Sequence, residues 1–430
     1  MRHLSDRRVY KRDLFLLLIK IRKIDEIVRK EIVKGRTEET KSIKVSNTHT
    51  YFPLHLPGYL PRVRLIHTTI HINAVASLTE ISNMNPIKIK AGVVQATPAL
   101  FDIEKSIDIV CHWIEKGAQS GCELLLFPES FIPGYPRGLS FDAVIGKRTD
   151  RGREGWLDYW ASSIDTSTDI LKKISAVIKK NKVMVALGVT EKESLGGTLY
   201  CTLLYFGKDG TLQGKHRKIK PTALERFVWG EGDGTTLTTL ETDLGIVGGL
   251  ICWENMMPLA RMAMYKKGVE IYLAPTADAR PSWQCTMQHI ALEGRCFVMA
   301  SNQFVQKSDY PEKYQAQLTN EPDIMCPGGS VIISPMGEIL AGPLWHQEGL
   351  LVAEFDLSAL IKSKLDFDVI GHYSRNDIFE FGVHRQPATI RLGCHELPLG
   401  ESPKEAEEEE TEPGSNEIEE DEEVDLGGEG

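Results

Sequence analysis

Chemistry in this chain starts at a cysteine. Cys252 lies in Gly248-Gly-Leu-Ile-Cys-Trp-Glu-Asn-Met-Met-Pro258, an apolar run that turns and then enters a helix with an early proline. That is the logic of a nucleophile elbow. Such a thiol is expected to face a cleft, with the nearby helix N-terminus lowering its pKa and raising its thiolate fraction. The competing reading is a buried core cysteine, because free Cys is among the most buried residue types. A thiol nucleophile needs a base, usually His, and no histidine stands out. Glu129 ends a short apolar run in Phe127-Pro-Glu-Ser130, where an apolar setting would raise its pKa toward the range useful for acid-base work. An ordinary turn carboxylate fits the same residues. Lys218, in Gly214-Lys-His-Arg-Lys-Ile-Lys-Pro-Thr222, could stabilise a developing anion as an oxyanion hole does, or it could belong to a solvated basic loop or a phosphate patch. Glu225, seven residues on, could orient that lysine.

The elements around these residues alternate between strand and helix. Ile87 to Val94 reads as a strand, and Asp102 can cap a helix whose apolar positions 103, 107, 110, 111 and 114 share one face, with Gly121 at its exit. Leu124 to Phe127 is wholly apolar and stops at Pro128, a buried strand with Glu129 at its end. A helix over 168–180 leads to a strand over 183–189. Asp209-Gly210 between two strand-like runs signals a hairpin. Further strands are expected over 244–252, 271–274, 296–301, 330–334 and 350–355, with helices over 258–267 and 282–294. Two sheets sandwiched between helices accommodate this pattern, in one domain over 87–385.

Composition confines the chemistry to that middle. Residues 401–430 hold 15 Asp or Glu against Lys404 alone, a run that cannot bury enough apolar surface to fold. Residues 386–430 are therefore expected to be a C-terminal extension with a disordered acidic tail. Residues 1–70 hold 16 Lys or Arg against 7 acidic residues, so 1–86 is expected to be a basic, poorly ordered extension. Its apolar run at 14–21 is too short for a bilayer, and its acidic residues are unlike a transit peptide. No run approaches about 20 apolar residues. None of the eight cysteines forms a C-x-x-C pair, which leaves zinc ribbons and dithiol motifs unsupported. A cytoplasmic protein with free thiols is expected.

Together, Glu129 in Phe-Pro-Glu, Lys218 in His-Arg-Lys-Ile-Lys-Pro-Thr and Cys252 in Ile-Cys-Trp-Glu-Asn resemble the nitrilase branch of the carbon-nitrogen hydrolases. The resemblance runs over about 87–385 and includes Leu224-Glu-Arg226, Gly230-Glu-Gly-Asp-Gly234, Ala274-Pro-Thr-Ala-Asp-Ala279, His289-Ile-Ala-Leu-Glu-Gly294 and Asp366-Phe-Asp-Val-Ile-Gly-His-Tyr373. Within the branch it is most similar to plant-type β-cyanoalanine nitrilases, which form both acid and amide, while arylaceto- and aliphatic nitrilases share much of the same sequence, so a related small or aryl nitrile stays open as substrate. The resemblance implies a four-layer α-β-β-α sandwich of the α/β class and a nitrile-hydrolysing enzyme with no metal or organic cofactor. It also implies a homodimer that assembles into larger spiral homo-oligomers. The catalytic triad it implies is Cys252 as nucleophile, Glu129 as base and Lys218 as anion stabiliser. Glu225 would support Lys218, and the backbone N–H of Trp253 would be a second donor to the anion.

Three other functions remain open at this stage. An amidase or N-carbamoyl amide hydrolase would use the same triad on a different bond. A non-catalytic assembly protein would keep the fold without a reactive thiol. Nucleic-acid binding through residues 1–70 would give only salt-sensitive contacts, so no nucleic-acid partner and no membrane association are expected; the partner is a small-molecule nitrile.

Overall fold

A computed structural model describes residues 88–385, all within one unit. The expectations for 1–87 and 386–430 fall outside the described residues. Strand β1 (Lys88–Gln95) leads to helix α1 (Ile103–Gln119), which Asp102 caps by accepting from the Lys105 N–H at 3.0 Å. Strand β2 (Leu124–Leu126) follows, then helices α2 (Asp150–Ala161) and α3 (Lys172–Asn181). Strands β3 (Met184–Lys192), β4 (Leu199–Phe206) and β5 (Leu212–Arg217) complete the first half. With β13 (Gly349–Asp356) they form a six-stranded sheet ordered β13-β1-β2-β3-β4-β5, in which β1, β2 and β3 run parallel.

The second sheet repeats the arrangement. It comprises β6 (Thr239–Thr242), β7 (Gly245–Gly249), β8 (Ile271–Pro275), β9 (Phe297–Ser301), β10 (Phe304–Gln306) and β11 (Ile324–Ile333), with β12 (Ile339–Trp345) paired to β11. Strands β7, β8 and β9 are parallel. Helices α4 (Pro258–Lys266) and α5 (Pro281–Gly294) belong to this half.

Alternation along the strands builds the four layers, since successive strand residues face opposite sides. Leu124 and Leu126 of β2 enter a core with Val247, Leu273 and Met299 of the other sheet, whereas Leu125 packs with Ile107, Val110 and Ile114 of α1 and with Ile174 and Ile178 of α3. On the far side, Tyr272, Ala274 and Val298 pack with Ala263 and Met264 of α4 and with Trp283, Met287 and Ile290 of α5. Each fully buried Leu or Ile in these layers contributes about 1.5–3 kcal/mol. Between the sheets, Phe297 of β9 stacks on Phe355 of β13 at 4.2 Å between centroids. The expected α-β-β-α sandwich is the observed fold.

Candidate active site

Parallel strands aim their C-terminal ends the same way, and ligand sites of α/β sheets lie beyond such ends. Glu129 follows β2, Cys252 follows β7, Thr276 follows β8 and Gln303 follows β9, while Lys218 follows the antiparallel β5. Close backbone approach sets the first of these. Gly188 of β3 passes so near the end of β2 that a Cβ there would lie 2.0 Å from the Pro128 carbonyl oxygen. Gln303 fixes the same turn by donating from Nε2 to the Glu129 carbonyl at 2.9 Å. Similarly, Gly249 sits where a Cβ would meet the Leu273 carbonyl at 1.8 Å, which lets β7 close onto β8 just before the cysteine.

The structure brings three of the expected residues into direct contact. Lys218, fully buried, donates from Nζ to Glu129 Oε1 at 2.6 Å and to Glu225 Oε2 at 2.7 Å. Its backbone is tied to the neighbouring strand through Lys218 N–H donating to the Cys201 carbonyl at 2.8 Å. Glu225 also accepts from the Thr222 N–H and, on its other oxygen, from the Tyr135 hydroxyl at 2.7 Å. Burial pulls the Lys218 ammonium down, but the charge of Glu129 and its neighbours raises it well above the usual lysine value, so it remains a cation. Burial pushes the Glu129 carboxyl up against the opposing effect of Lys218. One oxygen of Glu129 is committed to Lys218 and, at 3.5 Å, to the Cys201 thiol, whereas Oε2 has no hydrogen-bond partner among the described residues. A buried carboxylate with one uncommitted oxygen is ready to take a proton.

Cys252 corrects two expectations. Strand β7 ends at Gly249, and Cys252 opens a five-residue 3₁₀ turn (Cys252–Met256) with φ 52°, a left-handed conformation strained for any L residue. The side chain is 4% exposed rather than open to a cleft. Nor is its pKa lowered: burial, reinforced by the charge of Glu129, pushes the thiol up to about 12. The local sequence suggested the opposite because α4 begins close by, but a 3₁₀ turn lies between Cys252 and the α4 N-terminus at Pro258, and the dipole effect fades within a turn. Cys252 therefore rests as a thiol, and a base would have to take its proton to generate the thiolate. Thr276, whose hydroxyl lies 3.2 Å from Cys252 Sγ, and Asn255, whose Nδ2 donates to the carbonyls of Leu250 and Cys252, hold the elbow in place.

Trp253 does not join this cluster through its side chain. Its indole, 38% exposed, donates to Asp278 at 2.9 Å and carries Arg280 over its ring. As the second residue of the 3₁₀ turn, its N–H has no intrahelical acceptor.

Sequence reasoning missed a buried histidine. His216 places Nε2 2.9 Å from Glu254 Oε2 and Nδ1 2.9 Å from the Thr236 carbonyl, so both ring nitrogens are occupied and neither serves the thiol. Burial lowers the His216 pKa, but the Glu254 carboxylate more than offsets this and raises it. Glu254 also accepts from the N–H of Ile251 at 2.7 Å and of Ile219 at 2.6 Å. One carboxylate thereby joins the residue before Cys252 to the residue after Lys218, across the two sheets. Tyr135, Thr276 and Gln303 were likewise unforeseen, since their contacts with the site depend on pairings that no local pattern reports.

Among the described residues, no group of three or more His, Cys, Asp or Glu could hold a metal ion, and no helix is long and apolar enough to cross a membrane. The seven described cysteines are free.

Comparison with known proteins agrees with the geometry. The carbon-nitrogen hydrolase family model matches residues 90–364. A bifunctional nitrilase/nitrile hydratase of Lupinus angustifolius is 47% identical over 312 residues, covering 71% of this chain and 89% of that relative. An aliphatic nitrilase of Sinorhizobium fredii is 45% identical over 301 residues, covering 70% and 97% respectively. Among solved structures, a carbon-nitrogen hydrolase from Helicobacter pylori superposes with a TM-score of 0.56 at 21% identity, covering 68% of this chain and 97% of that one. The NitFhit protein of C. elegans gives 0.54 at 20% identity, covering 71% and 69%. At these identities the two structures speak for the fold alone.

Proposed function

This chain belongs to the carbon-nitrogen hydrolase family, and from that premise we propose that Cys252, Glu129 and Lys218 carry out its chemistry, with Glu225 and the Trp253 N–H in support. The curated relatives are nitrilases, and this chain is a hydrolase of organic nitriles. One observation carries the assignment of roles: a buried ammonium held between two carboxylates, one of which keeps an oxygen free, within electrostatic reach of a protonated buried thiol.

Each step uses an atom already described. Glu129 Oε2 takes the Cys252 proton as Sγ bonds to the nitrile carbon, and the proton passes to the nitrile nitrogen to give a thioimidate. Water, deprotonated by Glu129, adds to that carbon, and the tetrahedral species sits against the Lys218 ammonium and the Trp253 N–H. Collapse with loss of ammonia leaves an acyl thioester. A second water, activated in the same way, releases the carboxylic acid and restores the thiol. If the tetrahedral species expels the thiolate instead, the product is the amide. The barrier difference between these exits is a matter of charge placement, so small shifts at Glu129 or Lys218 change the ratio.

β-Cyanoalanine is the first substrate to test, on the strength of the sequence resemblance. The same resemblance supports a homodimer that builds larger spiral assemblies, and a cytoplasmic location. Ammonia release from β-cyanoalanine, phenylacetonitrile and a simple amide, with acid and amide products quantified for wild type and Cys252→Ala, tests the reading. Nitrile turnover that vanishes in the variant is expected. Turnover of the amide alone would move the enzyme to the amidase branch and reject it.

A further inference from the structure

Partly enclosed arginines in this fold are generally matched by acids: Arg217 by Glu191, Arg261 by Glu293 and Arg295 by Asp366. Arg137 is not. It lies in the turn beyond Glu129, half-buried, with Nη2 donating to the Ala277 carbonyl and lying 3.8 Å from Cys326 Sγ. Its Cζ is 5.4 Å from the ring centroid of Tyr135. Among the described residues no carboxylate forms an ion pair with it. A guanidinium offers five donors in a planar fork suited to a carboxylate, and removing one from water without an anion is costly. Here most of that fork is uncommitted and part of the residue stays accessible.

Its neighbours place this cation beside the reacting centre. Ala277, which accepts from Arg137, directly follows Thr276, whose hydroxyl is 3.2 Å from Cys252 Sγ. One peptide unit, about 3.8 Å between Cα atoms, therefore separates the residue that touches the nucleophile from the residue that touches the guanidinium. Tyr135 presents its ring to Arg137 and its hydroxyl to Glu225. Charge balance points the same way. Glu129 and Glu225 together carry two negative charges against the single positive charge of Lys218, so a substrate carboxylate would be repelled unless another cation faced it.

We infer that Arg137 anchors a carboxylate of the substrate, so that the enzyme prefers short nitriles bearing a carboxylate two or three bonds from the nitrile carbon over neutral nitriles of the same size. The inference rests on the reading of this site as a nitrilase site. Arg137 is thus a specificity-determining residue, and its loss acts on substrate binding more than on the chemical step.

Steady-state kinetics of the full chain with four nitriles test this. β-Cyanoalanine and 3-cyanopropanoate carry the carboxylate; butyronitrile and propionitrile are neutral. In Arg137→Gln, kcat/KM for the first two is expected to fall roughly 10- to 100-fold, mainly through KM, as fits the loss of a charge-assisted hydrogen bond. The other two should change less than about threefold, since they leave the guanidinium unused. Arg137→Lys, which keeps the charge without the fork, should fall between, and it carries the test if the Gln variant does not fold. Equal losses on all four nitriles would make Arg137 a structural cation over Tyr135 and overturn the inference, as would no loss on any. Wild-type turnover of neutral nitriles alone also overturns it while leaving the nitrilase reading intact. Turnover of no nitrile rejects both.

Discussion

Replacing Glu129 by Gln separates two effects that act on Cys252 in opposite directions. The thiol is held at about 12 by burial and by the Glu129 charge, so at pH 7 roughly one thiol in 100,000 is a thiolate without help. Removing the negative charge lowers that pKa and should make the sulfur more nucleophilic. It also removes the only uncommitted buried carboxylate oxygen described at the site, and loss of a general base costs about 10²- to 10⁴-fold. Nitrile kcat/KM is therefore expected to fall by that factor, while the rate of Cys252 alkylation by iodoacetamide stays level or rises. The fold should survive: the Gln carbonyl can still accept from Lys218, and Glu225 continues to pair it at 2.7 Å. The stability loss should then stay below the 3–5 kcal/mol typical of breaking a buried ion pair outright. A Gln variant with more than about a tenth of wild-type kcat/KM would place the base elsewhere. A parallel fall in turnover and alkylation would show that Glu129 acts only by shaping the site.

Three other substitutions probe the frame. Glu254→Gln sets an amide donor against backbone N–H groups that both carboxylate oxygens now accept, so thermal unfolding should reveal a loss of about 1–3 kcal/mol together with a lower kcat; an unchanged melting temperature would contradict the bridging role. Gly188→Ala would force a methyl onto the Pro128 carbonyl, and the expected result is at least about 1–3 kcal/mol of destabilisation with reduced activity; a fully active, equally stable variant would remove this contact from the account. Glu191 is buried between Arg217 and Lys215: burial raises its pKa, but the Arg217 hydrogen bond and the two positive charges lower it overall. A depressed carboxyl stabilises above its unfolded pKa of about 4.3 and loses that contribution as pH falls through the folded value. Glu191→Gln should accordingly destabilise near neutral pH, and denaturant titrations should show the difference shrinking below about pH 4; a pH-independent difference would point to packing instead.

Elements with strong local periodicity were legible in the sequence because their burial follows from spacing alone. Helix α1 and strand β2 are examples, the first with one apolar stripe and the second apolar throughout. Helix α2 was missed because only Gly152 and Tyr159 of it are buried, so it has no stripe to read, although Thr149 caps it by accepting from the Gly152 N–H. Strand β12 contains Gly342-Pro343, which argues locally against a strand, and β6 and β10 are only four and three residues long. The three residues proposed to carry the chemistry could be singled out through their order along the chain and their flanking motifs. Their electrostatics could not. The helix that follows Cys252 suggested a low thiol pKa, whereas the actual shift comes from burial between two sheets and from Glu129, 123 positions earlier in the sequence. Tyr135 and Arg137 escaped notice, and Thr276 was noticed only within the motif Ala274 to Ala279, for the same reason, since each acquires its meaning from partners that tertiary pairing supplies.

Identification of the covalent intermediate tests the central claim most directly. The full chain would be quenched in acid during turnover of a slow nitrile, digested and mapped by mass spectrometry. An acyl thioester or thioimidate on the peptide containing Cys252, absent from Cys252→Ala, is the result this account requires. Sustained nitrile turnover with the adduct on Cys201 or another cysteine, or persisting in Cys252→Ala, would contradict it.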